Sequence, residues 1–203
     1  MTIETDLKNA GGAATASPVD LDALTAAVGR RAAAEGVLDL AYAEVESPLG
    51  RLLAVATPQG LVHLGYPNRP VDDQLEALAG RISPRIVEAP VELDAVRRQL
   101  DEYFAGRRRD FELDLDWQLS AGFARAVLER TAAIPFGETR TYGEMAAAAG
   151  SPRAFRAAGS ALGSNSIPIV VPCHRVLRSG GGLGGYGGGL DVKRELLTLE
   201  GVL

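Results

Sequence analysis

Partway along the chain the apolar residues change their spacing, and that change limits the fold more than any other feature. From Leu38 to Tyr66, short alternating runs are broken by Ser47-Pro48-Leu49-Gly50 and by Pro58-Gln59-Gly60. Alternation of period two, cut by Pro and Gly, marks a β-meander, so three antiparallel strands are predicted there. From Ser120 onward the spacing becomes helical, in segments joined by short turns. Between the two regions we expect a helix over Val71 to Ala79, an extended piece at Ile86-Val87, and a second helix over Leu93 to Phe104. Arg107 to Leu115 reads as a linker with one more extended stretch.

Three parts follow: an N-terminal extension over 1–35, an α/β domain over 36–117 and a helical domain over 118–203. In the extension, Met1 to about Pro18 has little apolar periodicity and is expected to be a mobile tail. Asp20 to Ala34 carries a helical stripe of Leu21, Leu24 and Val28. In the helical domain, Ser120 is expected to cap a helix whose Phe123, Val127 and Ile134 share a face, ended by Pro135-Phe136-Gly137. Glu144 to Ala149 reads as a short helix closed by Gly150. Ser151-Pro152 then opens another, running to about Leu162, with Ser as N-cap and Pro at the first helical position. Two short helices joined by a tight turn form a helix-turn-helix. The second carries Arg153 and Arg156 with Ala157, Ala158, Gly159, Ser160 and Ala161. So little side-chain bulk lets a backbone approach another surface closely, in a helix contact or a nucleic-acid groove.

No run of about 18 apolar residues exists, and the N-terminus lacks a basic segment followed by an apolar one, so a cytosolic protein is the default expectation. The single cysteine excludes an internal disulfide. With only two histidines, His63 and His174, far apart, no Cys/His zinc cluster is expected, and no cofactor either. The formal net charge of -5 argues against a generally basic coat, but the charge is uneven. From Leu119 to the end, nine cations face six anions, a balance of +3 that leaves -8 for the remainder. The C-terminal part is therefore the side suited to phosphates.

Ile167-Pro168-Ile169-Val170-Val171 should be buried, and it delivers Pro172-Cys173-His174-Arg175-Val176 at its end. Most free cysteines are structural thiols. An adjacent imidazole favours the reactive thiolate, provided the local backbone lets the two side chains face one another or share a water. A carboxylate behind His174 would fix its tautomer, and Glu195 and Glu200 are the candidates.

The run Pro172-Cys173-His174-Arg175-Val176 resembles the active-site signature of the O6-alkylguanine-DNA alkyltransferases, the methylated-DNA-protein-cysteine methyltransferases. Its surroundings are similar too, in order. They are Phe136-Gly137-Glu138 leading to Thr141-Tyr142, Ala149-Gly150-Ser151-Pro152, Arg156-Ala157-Ala158-Gly159, Gly163-Ser164-Asn165, and Gly184-Gly185-Tyr186 with Leu190 to Gly201. The likeness runs from about Ser120 to Gly201, and Leu38 to Leu115 fits the family's variable N-terminal domain less specifically.

The resemblance implies a ribonuclease-H-like α/β N-terminal domain with a small antiparallel sheet. Beside it would stand a mostly helical C-terminal domain with a winged helix-turn-helix-like DNA-binding motif. It implies an irreversible transfer from O6-alkylguanine in double-stranded DNA, with O4-alkylthymine as a second candidate base, to Cys173. The helix-turn-helix would enter the minor groove and the damaged base would be rotated out of the stack. By the same likeness, His174 polarised by Glu200 draws the thiol proton through a water, Asn165 braces the turn holding Cys173, and Tyr142 meets the ring N3 so that a neutral guanine departs. Arg156 fills the vacated place in the duplex, and Arg153, Ala157, Ala158, Gly159, Leu162 and Arg175 complete the DNA-contacting set. Tyr142, Val176, Tyr186, Gly187 and Lys193 line the base pocket. Gly180 to Gly189 holds eight glycines, which composition alone would make a flexible linker. The likeness makes it the pocket wall, with Gly187 standing where many members have a serine. A monomer without membrane contact is expected, nucleoid-associated when on DNA, with cooperative binding along the DNA as a further expectation. The competing readings are a lesion-binding sensor without chemistry, a thiol hydrolase built on Cys173 and His174, and a plain transcription regulator.

Overall fold

The computed structural model describes residues 38–203 together with Ala27, Gly29, Arg31 and Gly36. The expected N-terminal tail lies outside the described residues. So does most of the Asp20 to Ala34 stretch, of which Ala27, Gly29 and Arg31 are helical.

The meander forms as β1 (Leu40–Val45), β2 (Leu52–Thr57) and β3 (Gly60–Gly65), antiparallel throughout. Ser47 and Gly50 close the first turn, where the Gly50 amide donates to the Ser47 carbonyl at 3.0 Å. The expected extended piece is β4 (Ile86–Glu88), and it pairs parallel to β1, so the sheet is mixed rather than antiparallel, in the order β3-β2-β1-β4. The physical reason is the crossover: α1 (Val71–Arg81) runs between β3 and β4 and returns the chain in the direction of β1.

Both faces of this sheet are covered. Along β2, Leu52 and Ala54 face the main core while Leu53 and Val55 face a smaller cluster closed by Leu78 of α1. That two-sided burial explains the nearly unbroken apolar run of β2. A 3-10 turn (Pro90–Leu93) leads into α2 (Asp94–Phe104), which buries Val96, Leu100 and Tyr103. Burying a side chain such as Leu100 is worth about 2 kcal/mol.

The C-terminal half contains α3 (Gly122–Ala132), α4 (Tyr142–Ala148), α5 (Phe155–Gly163) and α6 (Leu190–Leu199), with a two-stranded parallel ladder of β5 (Arg140–Thr141) and β6 (Val176–Leu177). Val127 and Leu128 of α3, Ala158 and Ala161 of α5 and Leu196 of α6 join Leu100 and Tyr103 in one continuous core. The two halves are also stitched by backbone: the Leu64 amide of β3 donates to the Ser166 carbonyl at 2.8 Å. No helix among the described residues is long and apolar enough to cross a membrane.

Three helix starts differ from expectation. Ser120 does not cap α3; its amide donates to the Trp117 carbonyl in a turn, and Ala121 is the N-cap, with no side-chain cap. The first helix of the motif begins at Tyr142 rather than Glu144, because Thr141 and Glu144 form a reciprocal capping box. The second begins at Phe155, since the Ser151 carbonyl accepts from the Ala154 amide at 2.8 Å and spends Ser151-Pro152 on a turn.

Candidate active site

Ile167 to Val171 is buried but turns back on itself instead of forming a strand, as the Val171 amide donates to the Ile167 carbonyl at 2.9 Å. Ile169 sits in this turn at φ +73°, the sole non-glycine residue at positive φ among the described residues. A β-branched residue there stores backbone strain, of order 1–3 kcal/mol, which its surroundings must hold. Asn165 supplies much of that hold. Its side-chain carbonyl accepts from the Ile167 amide at 3.0 Å, while Nδ2 donates to the Val171 carbonyl at 2.8 Å and to Cys173 Sγ at 3.1 Å. Asn165 therefore both braces the turn and touches the sulfur.

Cys173 opens a single 3-10 turn, Cys173–Arg175, that sends the thiol to the cavity and brings His174 and Arg175 together on Glu200. The thiol is 8% exposed and lines a cavity of about 990 Å³ with Thr141, Tyr142, Tyr186 and Leu162. Burial pushes the Cys173 thiol up, opposed by the hydrogen bond from Asn165 and the positive charge of Lys193.

His174 is fully buried behind the cavity wall, its ring edge-on to that of Tyr186, with Nε2 at 2.9 Å from Glu200 Oε1. Of the two candidate carboxylates, Glu200 at the C-cap of α6 is the partner, and Glu195 lies exposed on that helix. Glu200 also accepts two bonds from Arg175, Nε at 2.8 Å and Nη2 at 2.8 Å, and one from the Tyr103 hydroxyl at 2.7 Å. Burial alone would raise this carboxyl, but the bonds from His174, Arg175 and Tyr103 more than offset it and hold it at about 2. An ionised Glu200 can only accept, so Nε2 of His174 carries the hydrogen and Nδ1 the lone pair. Nδ1 is buried without a hydrogen-bond partner among the described residues. Burial keeps the imidazole below its ordinary value against the opposing pull of Glu200, so His174 is neutral at pH 7 and able to take a proton.

Other expected residues fall into two groups. Tyr142, Arg156, Gly159, Leu162, Tyr186 and Gly187 line the cavity with Cys173. Arg153 and Ala157 are exposed on and beside the first turn of α5. The structure corrects the remainder. Arg175 is 4% exposed and committed to Glu200 and the Ile134 carbonyl, so it faces the core rather than DNA. Ala158 is 0% exposed on the inner side of α5. Val176 and Lys193 lie behind the pocket wall instead of lining it: Val176 is buried in β6, and Lys193 Nζ donates to the carbonyls of Val176 and Leu183. Burial lowers that ammonium to about 8.

Phe155, Arg178 and Ser179 line the cavity without having been singled out from sequence. Also missed is Tyr66, at the end of β3, whose hydroxyl lies 2.6 Å from that of Tyr186. Asn68 Nδ2 donates to the Gly187 carbonyl at 3.0 Å, and a Cβ on Gly188 would stand 2.9 Å from the Tyr66 ring. On its other edge the loop passes so close to Tyr142 that a Cβ on Gly184 would stand 2.5 Å from the phenol oxygen. The glycine-rich loop is thus held between Tyr142 and the N-terminal domain. Among the described residues no group of three or more His, Cys, Asp or Glu stands together as a metal ion would need.

Residues 40–117 match the family model described as 6-O-methylguanine DNA methyltransferase, ribonuclease-like domain, and residues 122–202 match that family's DNA binding domain. The chain belongs to the 6-O-methylguanine DNA methyltransferase family. A methylated-DNA–protein-cysteine methyltransferase of Mycolicibacterium paratuberculosis is 44% identical over 161 residues, 78% of this chain and 91% of that protein. One of the same name from Methanosarcina barkeri is 39% identical over 166 residues, 78% of this chain and 96% of its own. Among solved structures, Mycobacterium tuberculosis OGT in complex with DNA is similar with a TM-score of 0.69 and 37% identity, covering 79% of this chain and 92% of that one.

Proposed function

We propose that this protein repairs DNA by taking an alkyl group from O6 of guanine onto Cys173, and is spent in doing so. Sulfur attacks the alkyl carbon in line with the O6 bond; the S–C bond forms as the C–O6 bond breaks, and the electron pair leaves with the guanine. The thiol proton passes through a water to Nδ1 of His174, whose charge Glu200 then balances. Tyr142, at the cavity wall, passes its phenol proton to N3 of the departing base, so that the base leaves neutral, and the phenolate takes a proton back from solvent. The product is a thioether, which no nearby base can hydrolyse, so each chain acts once. O4 of an alkylated thymine offers the same leaving geometry.

The observation that carries this reading is a sole cysteine at the bottom of an open cavity, bonded by Asn165 and backed by a neutral, oriented imidazole. Double-stranded DNA is the partner: α5 would lie in the minor groove with Arg156 entering the stack, and the base would swing into the cavity, which places the protein on the chromosome when it works. The cavity lining holds two arginines, Arg156 and Arg178, and no carboxylate, which suits a polyanion.

The test is intact-mass analysis after incubation with duplex DNA bearing O6-methylguanine. A gain of one methyl group on Cys173 is expected, with Cys173→Ala abolishing transfer and leaving DNA binding in place. Turnover without a mass gain would indicate the hydrolase, and binding without transfer the sensor.

A further inference from the structure

The described residues include all eleven aromatic side chains of the sequence (five Phe, five Tyr, one Trp), and Phe155 is the one that is exposed, at 50%. It stands at the first position of α5, immediately before Arg156, because Ser151-Pro152 is spent on a turn. Its ring lies at the mouth of the cavity that holds Cys173, and the Arg156 guanidinium sits 5.7 Å from its centroid. The residues that follow, Ala157 and Gly159, are too small to shield it. A free chain gains nothing from a half-exposed ring at that place, which leaves apolar area to be covered by whatever α5 meets.

Resting on the proposed function, we infer that Phe155 is a DNA-contacting wedge: it stacks on the base beside the gap left by the extruded nucleotide and works as a pair with Arg156. Minor-groove proteins insert such apolar rings between base steps and so unstack them. Stacking on a π-face is indifferent to sequence, which fits a protein that must open the duplex wherever a lesion falls. The cation over the ring holds the two side chains side by side, so that one occupies the gap while the other lies against its edge. The competing role, a wall of the pocket for the extruded base, would concern the base alone and not the duplex around it.

The two roles separate when Cys173 alkylation is timed with duplex O6-methylguanine and with free O6-benzylguanine, the latter needing no extrusion. For Phe155→Ala the ratio of duplex rate to free-base rate should fall about tenfold, and Phe155→Trp should restore it. The fluorescence of a 2-aminopurine placed next to the lesion should change on binding of the parent chain and less with Phe155→Ala. An unchanged ratio, whether through no loss or through equal loss on both substrates, overturns the wedge. A parent chain that gains no mass from either substrate instead overturns the alkyl-transfer reading, and the wedge with it. Because the ring is exposed, thermal melting of the variants should match the parent and so exclude misfolding as the cause.

Discussion

Glu200 shows how one residue can serve chemistry and stability at once. Its carboxylate orients His174 and also absorbs Arg175 and Tyr103, all within 2.7 to 2.9 Å. Taking Arg175 away leaves a buried charge half-satisfied, so Arg175→Met should cost about 3–5 kcal/mol in urea unfolding. A loss under about 1 kcal/mol coupled to weaker DNA binding would return Arg175 to the DNA surface. The same carboxyl titrates at about 2 in the folded chain against 4.5 as an ordinary glutamate. Its stabilisation is therefore complete above the ordinary value and is lost as pH falls through the folded value. A side-chain carboxyl followed by NMR should stay ionised to about pH 2 while the unfolding free energy declines between roughly pH 5 and 2; titration of every glutamate near its ordinary value would refute this. The residues alone left two carboxylates, Glu195 and Glu200, as candidates. The family likeness chose Glu200, whereas the residues alone could not, because only packing shows that Glu195 stands exposed in the middle of α6 while Glu200 is buried at its C-cap. Arg175 was misplaced for a related reason: a charged residue beside a DNA-facing segment looks exposed until its buried partner is known.

At the scale of elements, the strands and most helices follow from apolar spacing, and the departures are local. Thr141-Tyr142-Gly143-Glu144 is a capping box legible in the sequence, and it would have put the start of α4 at Tyr142. The opening of α5 was harder, because Ser151-Pro152 satisfies the chemistry of a turn as well as that of a helix start. The glycine-rich loop was hardest, since nothing local orders eight glycines. Its order comes from Tyr66 and Asn68, which lie just past the end of β3 in the other half of the chain. Losing the hydroxyl-to-hydroxyl bond in Tyr66→Phe should weaken competitive binding of free O6-benzylguanine about fivefold, worth about 1 kcal/mol. The double variant with Tyr186→Phe should lose little beyond the larger single loss, since both changes remove one bond. Additive losses would mean that the two phenols act separately.

Across the whole molecule, the division into a sheet-bearing half and a helical half was readable, and the parallel fourth strand was not. Three residues at Ile86–Glu88 carry too little pattern to declare their direction, which the path of α1 decides. Nor could sequence show that the halves share one core, because the contacts that join them, such as Leu64 to Ser166 and Tyr66 to Tyr186, lie about a hundred residues apart. The uneven charge has its counterpart in a cavity edged by Arg156 and Arg178 on a chain of net -5. The end of β3 contains no reacting group, yet Tyr66 and Asn68 just beyond it bear on the glycine-rich side of the cavity. Drift in that quiet stretch would reset how wide the doorway stands and hence which adducts are admitted, with the sulfur and its attendants untouched.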